Sequence, residues 1–378
     1  MLTAGCQQKS TNNFKGEIDS IGIVWVPDLR EGIYEAELIS RGQDLILKGE
    51  TNIPEAKDAI TGLLNQKGVI FKDSLKVLPD VSEINEPWGL VNVSVCNIRL
   101  FSSYDAEMVS QALMGAPVKI LKKEGGWLLI QTPDLYLGWV DNDAIETKNI
   151  DEYEKWKSSS RVFYTAKTGD IYADPSEAKV ISDIVAGCIV EISGRQQRGF
   201  EVKLPDGRAG FIPGDKGITL DKLSVDTYLN PQNLVETAGS FMGIPYLWGG
   251  TSSKGFDCSG FIKTVYYLNG IILTRDASQQ FQYGIRIRRA SFPDSLKNGD
   301  LLFFGSSGRG RPRATHIGMY IGGSEFIHCS GMVRINSLDS TRANFSRFRR
   351  DSFLGVRRII GAEYGKGIQP VLDHGWYK

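Results

Sequence analysis

The stretch GIPYLWGGTSSKGFDCSG, Gly243 to Gly260, decides how the rest of the chain is read, because it puts one cysteine where a helix begins. Gly249, Gly250, Ser252, Ser253 and Gly255 make a loop, Asp257 stands at an N-cap position, and Phe261, Val265 and Leu268 then recur at helical spacing. Cys258 therefore falls in the first turn. Backbone N–H groups there are unpaired and carry partial positive charge, so a thiolate is favoured and its pKa is expected to fall from about 8.5 towards or below neutrality. That combination makes a nucleophile.

A nucleophilic cysteine needs a base, and the chain has 3 histidines, all downstream. His316 lies in ATHIGMYI and His328 in EFIHC, two strand-like runs joined by Gly322-Gly323-Ser324. The resulting antiparallel hairpin lets both rings face one side, as a general base and a second imidazole that fixes its tautomer. His374, in Asp-His-Gly near the C-terminus, reads as a surface residue.

The run PYLWGG, followed by Asp257-Cys258-Ser259-Gly260, Arg275-Asp276-Ala277-Ser278, Asn298-Gly299-Asp300-Leu301, Thr315-His316-Ile317-Gly318 and His328, resembles the NlpC-type family of bacterial cell-wall cysteine peptidases. The resemblance implies an α+β, papain-like domain with an antiparallel sheet, in which Cys258 is nucleophile, His316 base and His328 the orienting residue. It also implies cleavage of the γ-D-glutamyl to diamino-acid bond of peptidoglycan stem peptides. Tyr246 and Ser259 match family positions that contact the D-glutamyl moiety. Asp257 is either a cap or a second carboxylate near the substrate amine; Asp276 is a cleft residue, a helix cap or a partner of Arg275. Rival readings on the same scaffold are a muramoyl-alanine amidase, an acyltransferase and a non-enzymatic wall-binding lipoprotein.

Upstream, the chain repeats itself. Gly115 to Val140 carries Val118-Lys119-Ile120, Trp127, Pro133-Asp134 and Gly138-Trp139-Val140; Gly187 to Ile212 carries Ile189-Val190-Glu191-Ile192, Phe200, Pro205-Asp206 and Gly210-Phe211-Ile212. Short strands closed by a Gly-aromatic-aliphatic step indicate two small β-barrels, and both copies look like the bacterial SH3-like domains that accompany this family. Where the first copy has Tyr136 the second has Arg208. In family members that cut recycled stem peptides, a tyrosine and a glutamate of the first barrel hold the free amino terminus of the substrate. Tyr136 and Glu107 look like those residues; the bland alternative is a rim aromatic and a solvated charge.

The expected division is residues 1–15 as a lipoprotein-signal remnant and polar tether, 16–85 as an N-terminal structural α/β module, 86–148 and 149–222 as the two SH3-like barrels, and 223–378 as the peptidase domain. In the module, Ile21 to Val26 reads as a buried strand, and a helix is expected with Asn52 as cap and Pro54 in its first turn. Linkers are expected near 148–152 and 222–228. Met1-Leu2-Thr3-Ala4-Gly5-Cys6 looks like a lipobox remnant, so membrane contact is expected only through a lipid anchor on Cys6, in the cell envelope.

Lys+Arg and Asp+Glu are both 44, so nothing in the charge balance favours nucleic acid as a partner. Five cysteines without a C-x-x-C pair argue against a disulfide framework or a zinc site. Cys96, Cys188 and Cys329 read as buried structural thiols. The reading needs no metal or cofactor, and expects a monomer whose partners are stem peptides.

Overall fold

A computed structural model of the chain describes residues 4–288, 295–307, 310 and 312–378, with the side chains of 4–13 outside the description. The lipobox reading of Met1 to Cys6 lies outside the described residues and side chains.

The N-terminal unit is a three-stranded sheet, Tyr34–Arg41 antiparallel to Asp44–Thr51 and the latter parallel to Lys72–Val77, covered by helices Ala4–Trp25 and Pro54–Gln66. Its core is Ile18, Leu38, Leu47, Ile60, Leu64 and Leu75. Two expectations fail here. The run Ile21 to Val26 is not a strand, and the polar tether is not irregular; both lie at the long first helix, whose buried stripe is Phe14, Ile18 and Ile21 while Ile23 and Val24 are exposed. Asn52 does not cap the second helix, because its side-chain oxygen accepts from Ile33 N at 2.7 Å instead and Ile53 takes the N-cap position.

Two seven-stranded sheets follow, and they share one topology. Numbering the strands of each in chain order, the spatial order is seventh, first, fourth, fifth, sixth, second, third, in the copy from Trp88 to Lys148 and again in the copy from Arg161 to Thr219. The internal repeat is thus a repeat of strand pairing, each copy closing around its own core of Val118, Ile120, Ile130 and Val140 or of Val190, Val202 and Ile212. The connection between them is not an open linker: Asn149 and Glu152 form a capping box that starts the helix Ile150–Ser158. Its Tyr153 and Trp156 are buried.

The last unit has a six-stranded antiparallel sheet in the order Ile285–Ile287, Phe353–Arg358, Leu301–Ser306, Arg313–Gly322, Glu325–Ser330, Met332–Ser337. The helix Cys258–Tyr267 lies across the fourth and fifth of these, with Phe261, Ile262 and Val265 all fully buried. Gly322, Gly323 and Ser324 turn the hairpin with positive φ at all three, which the two glycines accept without a Cβ clash. His374 is not at the surface: it is buried, with Nε2 donating to Pro133 O at 3.0 Å and Nδ1 accepting from Trp376 N. The C-terminal segment thereby fastens the peptidase unit to the first barrel. Among the described residues no helix is long and apolar enough to cross a membrane.

Candidate active site

Cys258 opens its helix as the sequence predicts, with Asp257 in extended backbone as N-cap and its Oδ1 accepting from Gly260 N at 2.7 Å. Gly260 is required, since a Cβ there would stand 2.0 Å from the Gly250 carbonyl. Asp257 is fully committed to structure: Oδ2 also accepts from Gly249 N at 3.1 Å, and its carboxylate pairs with the buried Arg275 through both guanidinium nitrogens. Arg275 bonds Ser259 Oγ at 3.1 Å and Ser110 Oγ of the first barrel at 3.1 Å. A buried guanidinium needs an anion and filled donors, and this one gets both by joining the barrel to the helix cap. Of the roles the sequence left open for Asp276, the pairing with Arg275 spans 4.0 Å, and the nearer partner of Arg275 is Asp257.

The backbone N–H of Ile317 points at the Cys258 sulfur, so the strand Arg313–Gly322, which carries His316, packs against the start of the nucleophile helix. His316 Nε2 lies 2.7 Å from His328 Nδ1, with the rings perpendicular at 4.9 Å, and His328 Nε2 lies 2.9 Å from Asn336 Oδ1. The Asn336 amide is oriented by Nδ2 donating to Asn344 O at 2.9 Å. Its oxygen must therefore accept from His328 Nε2–H, which leaves His328 Nδ1 to accept from His316 Nε2–H. His316 Nδ1 is then the unprotonated nitrogen, left free to take a proton. Asn336 was not singled out from the sequence. No local motif marks it: His328 pairs with Arg334, and only that register sets Asn336, two residues on, on the same face of the neighbouring strand.

The charge state differs from the sequence expectation. Burial pushes the Cys258 thiol up to about 11, the Asp257 carboxylate adds to this, and the N–H groups of Ile317 and Ser259 with Arg275 only partly offset it. Burial holds His316 well below 6.5, helped by Arg349 and His328, and lowers His328 to about 4. Each group is thus biased by its own burial towards the neutral form, because a helix N-terminus does not outweigh the desolvation of an almost fully covered sulfur.

The remaining candidates fall into two groups. Tyr246 is half-buried, its hydroxyl kept protonated by burial and by neighbouring Cys258 and Asp257, and its backbone N bonds Gly331 O at 2.9 Å. The second group lies where the first barrel meets this unit. Glu107 Oε1 accepts from Trp248 Nε1 of the PYLWGG loop at 2.7 Å, and the Tyr136 hydroxyl donates to Asp276 Oδ2 at 3.3 Å. Asp276 caps the short helix Ala277–Gln280 and is also held by Arg30 of the N-terminal unit at 2.6 Å. Among the described residues no group of His, Cys, Asp and Glu could hold a metal ion. Cys329 is buried with its thiol on Phe256 O at 3.1 Å, and Cys96 and Cys188 are buried.

A cysteine at the head of a buried helix, faced by a histidine on an antiparallel sheet and by a second side chain that orients it, is the layout of a papain-like cysteine peptidase. Residues 243–350 match the NlpC/P60 family and residues 100–145 match the bacterial dipeptidyl-peptidase Sh3 domain. The chain belongs to the NlpC/P60 family of cysteine peptidases: it is 38% identical over 129 residues to a probable endopeptidase of Haemophilus influenzae, covering 33% of this chain and 73% of that protein. It is also 28% identical over 267 residues to a gamma-D-glutamyl-L-lysine dipeptidyl-peptidase of Bacillus cereus, covering 68% of this chain and 78% of that protein. The crystal structure of an NlpC/P60 family protein from Bacillus cereus superposes with a TM-score of 0.63 at 23% identity, over 72% of this chain and 99% of that one, and so shares the fold.

Proposed function

We propose that the protein is a peptidoglycan endopeptidase of the cell envelope that hydrolyses the γ-D-glutamyl to diamino-acid bond of stem peptides beginning with free L-alanine, in wall turnover and recycling. The observation that carries this reading is the meeting of the first barrel with the peptidase unit: Glu107 on Trp248 and Tyr136 on Asp276. A carboxylate and oriented oxygens at one end of a cleft suit an ammonium group. Asp257 and Glu31 are taken up by Arg275 and Lys366, whereas among the described residues the Glu107 carboxylate is bonded by the neutral Trp248 indole and by no cation, so its charge remains for that ammonium. The relatives named gamma-D-glutamyl-L-lysine dipeptidyl-peptidase support the same bond.

In this reading Cys258 attacks the γ-carbonyl carbon while its proton passes to His316 Nδ1. The oxyanion that forms faces the N–H groups at the helix start and the Tyr246 hydroxyl, where one such donor is worth about 10²- to 10³-fold in rate. The C–N bond breaks as His316 returns the proton to the departing amine, leaving a thioester. Water, deprotonated by His316, attacks the thioester and releases the dipeptide with a free γ-carboxyl group. His328 and Asn336 keep the His316 lone pair on the correct nitrogen throughout.

The test is cleavage of L-Ala-γ-D-Glu-L-Lys and its N-acetyl form by the purified protein, with products identified by mass. The expected result is release of L-Ala-γ-D-Glu from the free peptide and little from the acetylated one. Equal rates would remove the amino-terminus claim, and release of the whole peptide from intact muropeptides would favour an amidase instead.

A further inference from the structure

Arg349 is a half-buried cation whose charge acts on both Cys258 and His316, and among the described residues no carboxylate lies within ion-pair distance of it. Its helix Arg347–Asp351 offers one acid, Asp351, which is shared by Arg347 and Arg350. The Arg349 guanidinium lies over the Phe304 ring at 5.8 Å and over Phe348 at 5.2 Å, and Nη2 reaches only Ser330 Oγ at 3.3 Å. Phe304 in turn packs against His316, ring centroids 5.9 Å apart, and Ser330 follows His328 by two residues on one strand. Arg334, which pairs across the sheet with His328, is a second cation here; it bonds Asn336 Oδ1 at 3.4 Å and among the described residues has no carboxylate in ion-pair distance.

A guanidinium removed from much of its water without an anion is a cost that a bound carboxylate would reverse, and its planar fork suits a carboxylate better than any other ligand. Its neighbours Phe304, Phe348 and Ser330 share no member with Glu107, Tyr136, Trp248 and Asp276, the group assigned above to the amino end of the substrate. The leaving side of the scissile bond is where His316 must deliver its proton, and there the departing residue carries carboxylates: an α-carboxylate on any diamino acid, and a second, distal one on diaminopimelate.

We infer that Arg349, assisted by Arg334, is a specificity-determining residue that binds a carboxylate of the leaving diamino acid. This rests on the proposed endopeptidase reading. The experiment compares three peptides of the form L-Ala-γ-D-Glu-X, in which X is L-lysine, L-lysine α-carboxamide, or diaminopimelate with the α-carboxyl next to the scissile bond amidated. Wild-type kcat/KM should fall about 10- to 100-fold from the lysine acid to its amide, the range of a hydrogen bond to a charged group. The third peptide separates the sources: recovery of the rate assigns the distal carboxylate, and a rate as low as the lysine amide assigns the α-carboxylate. Arg349→Gln should lose the preference mainly through KM, and Arg349→Lys should restore part of it. Cleavage of all three peptides at one rate, or a preference that survives in Arg349→Gln, would overturn this inference alone. Cleavage of none by the wild type would overturn the proposed function and the inference with it.

Discussion

Burial biases Cys258 and His316 each towards the neutral form, and this sets what pH should do. A nucleophile stored as an ion pair keeps a flat alkylation rate from acid through neutral pH; a thiol held near 11 by burial does not. Iodoacetamide inactivation should therefore climb steadily from pH 6 to pH 10, and Cys258→Ser should abolish it while leaving the buried Cys96, Cys188 and Cys329 unlabelled. A plateau between pH 5 and 8 would show the ion pair instead. The acid side follows with its own sign. His316 must be neutral to accept a proton, and its pKa is depressed, so kcat/KM should persist below pH 6.5 and fall only at more acid pH. Protein stability moves the same way: both buried histidines bind protons more readily when unfolded, so stability contributed above pH 6.5 is lost as pH falls towards the His328 value of about 4.

Strand register turns three separate side chains into one proton path. The hairpin places His328 within reach of His316, and the next strand places Asn336 on the outer nitrogen of His328. Replacing Asn336 with Leu removes the acceptor that selects the His328 tautomer, so His316 can lose its own. The expected outcome is a drop in kcat of about 10-fold or more, bounded by the roughly 10⁴-fold cost of a wrong tautomer in a serine protease triad. KM should hardly change, and Asn336→Asp should retain activity; steady-state kinetics at pH 7 decides. The cysteine, both histidines and the strands that carry them were legible because alternation and glycine turns are local signals. Asn336 and Arg349 were not, since polar residues near strand ends are common and only pairing across the sheet, or packing on Phe304, gives them meaning. The first helix was misread for a related reason: Ile21 to Val26 contains a run of contiguous apolar residues, which looks like a buried strand, while the stripe that packs is Phe14, Ile18 and Ile21. The fate of Asp257 and Arg275 was hidden too, because their partnership spans 18 residues and depends on Ser110 from another unit.

The whole molecule adds a contribution from the N-terminal unit that no local motif announces. Its loop Asp28 to Glu31 lies between the first barrel and the peptidase unit: Leu137 N donates to Arg30 O, Gln131 Nε2 to Glu31 O, Gln279 Nε2 to Asp28 and Glu31, and Lys366 pairs with Glu31. With so many ties, the loop backbone does not depend on the Arg30 side chain. That side chain bridges Asp28 and Asp276, both at 2.6 Å, and so cancels one of the two negative charges at the end of the cleft where the substrate ammonium is proposed to sit. Arg30→Gln keeps much of the shape and removes the positive charge. KM for L-Ala-γ-D-Glu-L-Lys should then fall about 2- to 5-fold at low salt, the size of one partly screened charge interaction. The gain should vanish near 1 M salt, where the screening length is about 3 Å, and KM for the N-acetyl peptide should not move. A merely structural role for Arg30 gives the opposite sign: KM would rise for both peptides at every salt concentration, together with a lower melting temperature. Kinetics of the two peptides across a salt series therefore decide whether this unit tunes the electrostatics of the cleft or only braces it.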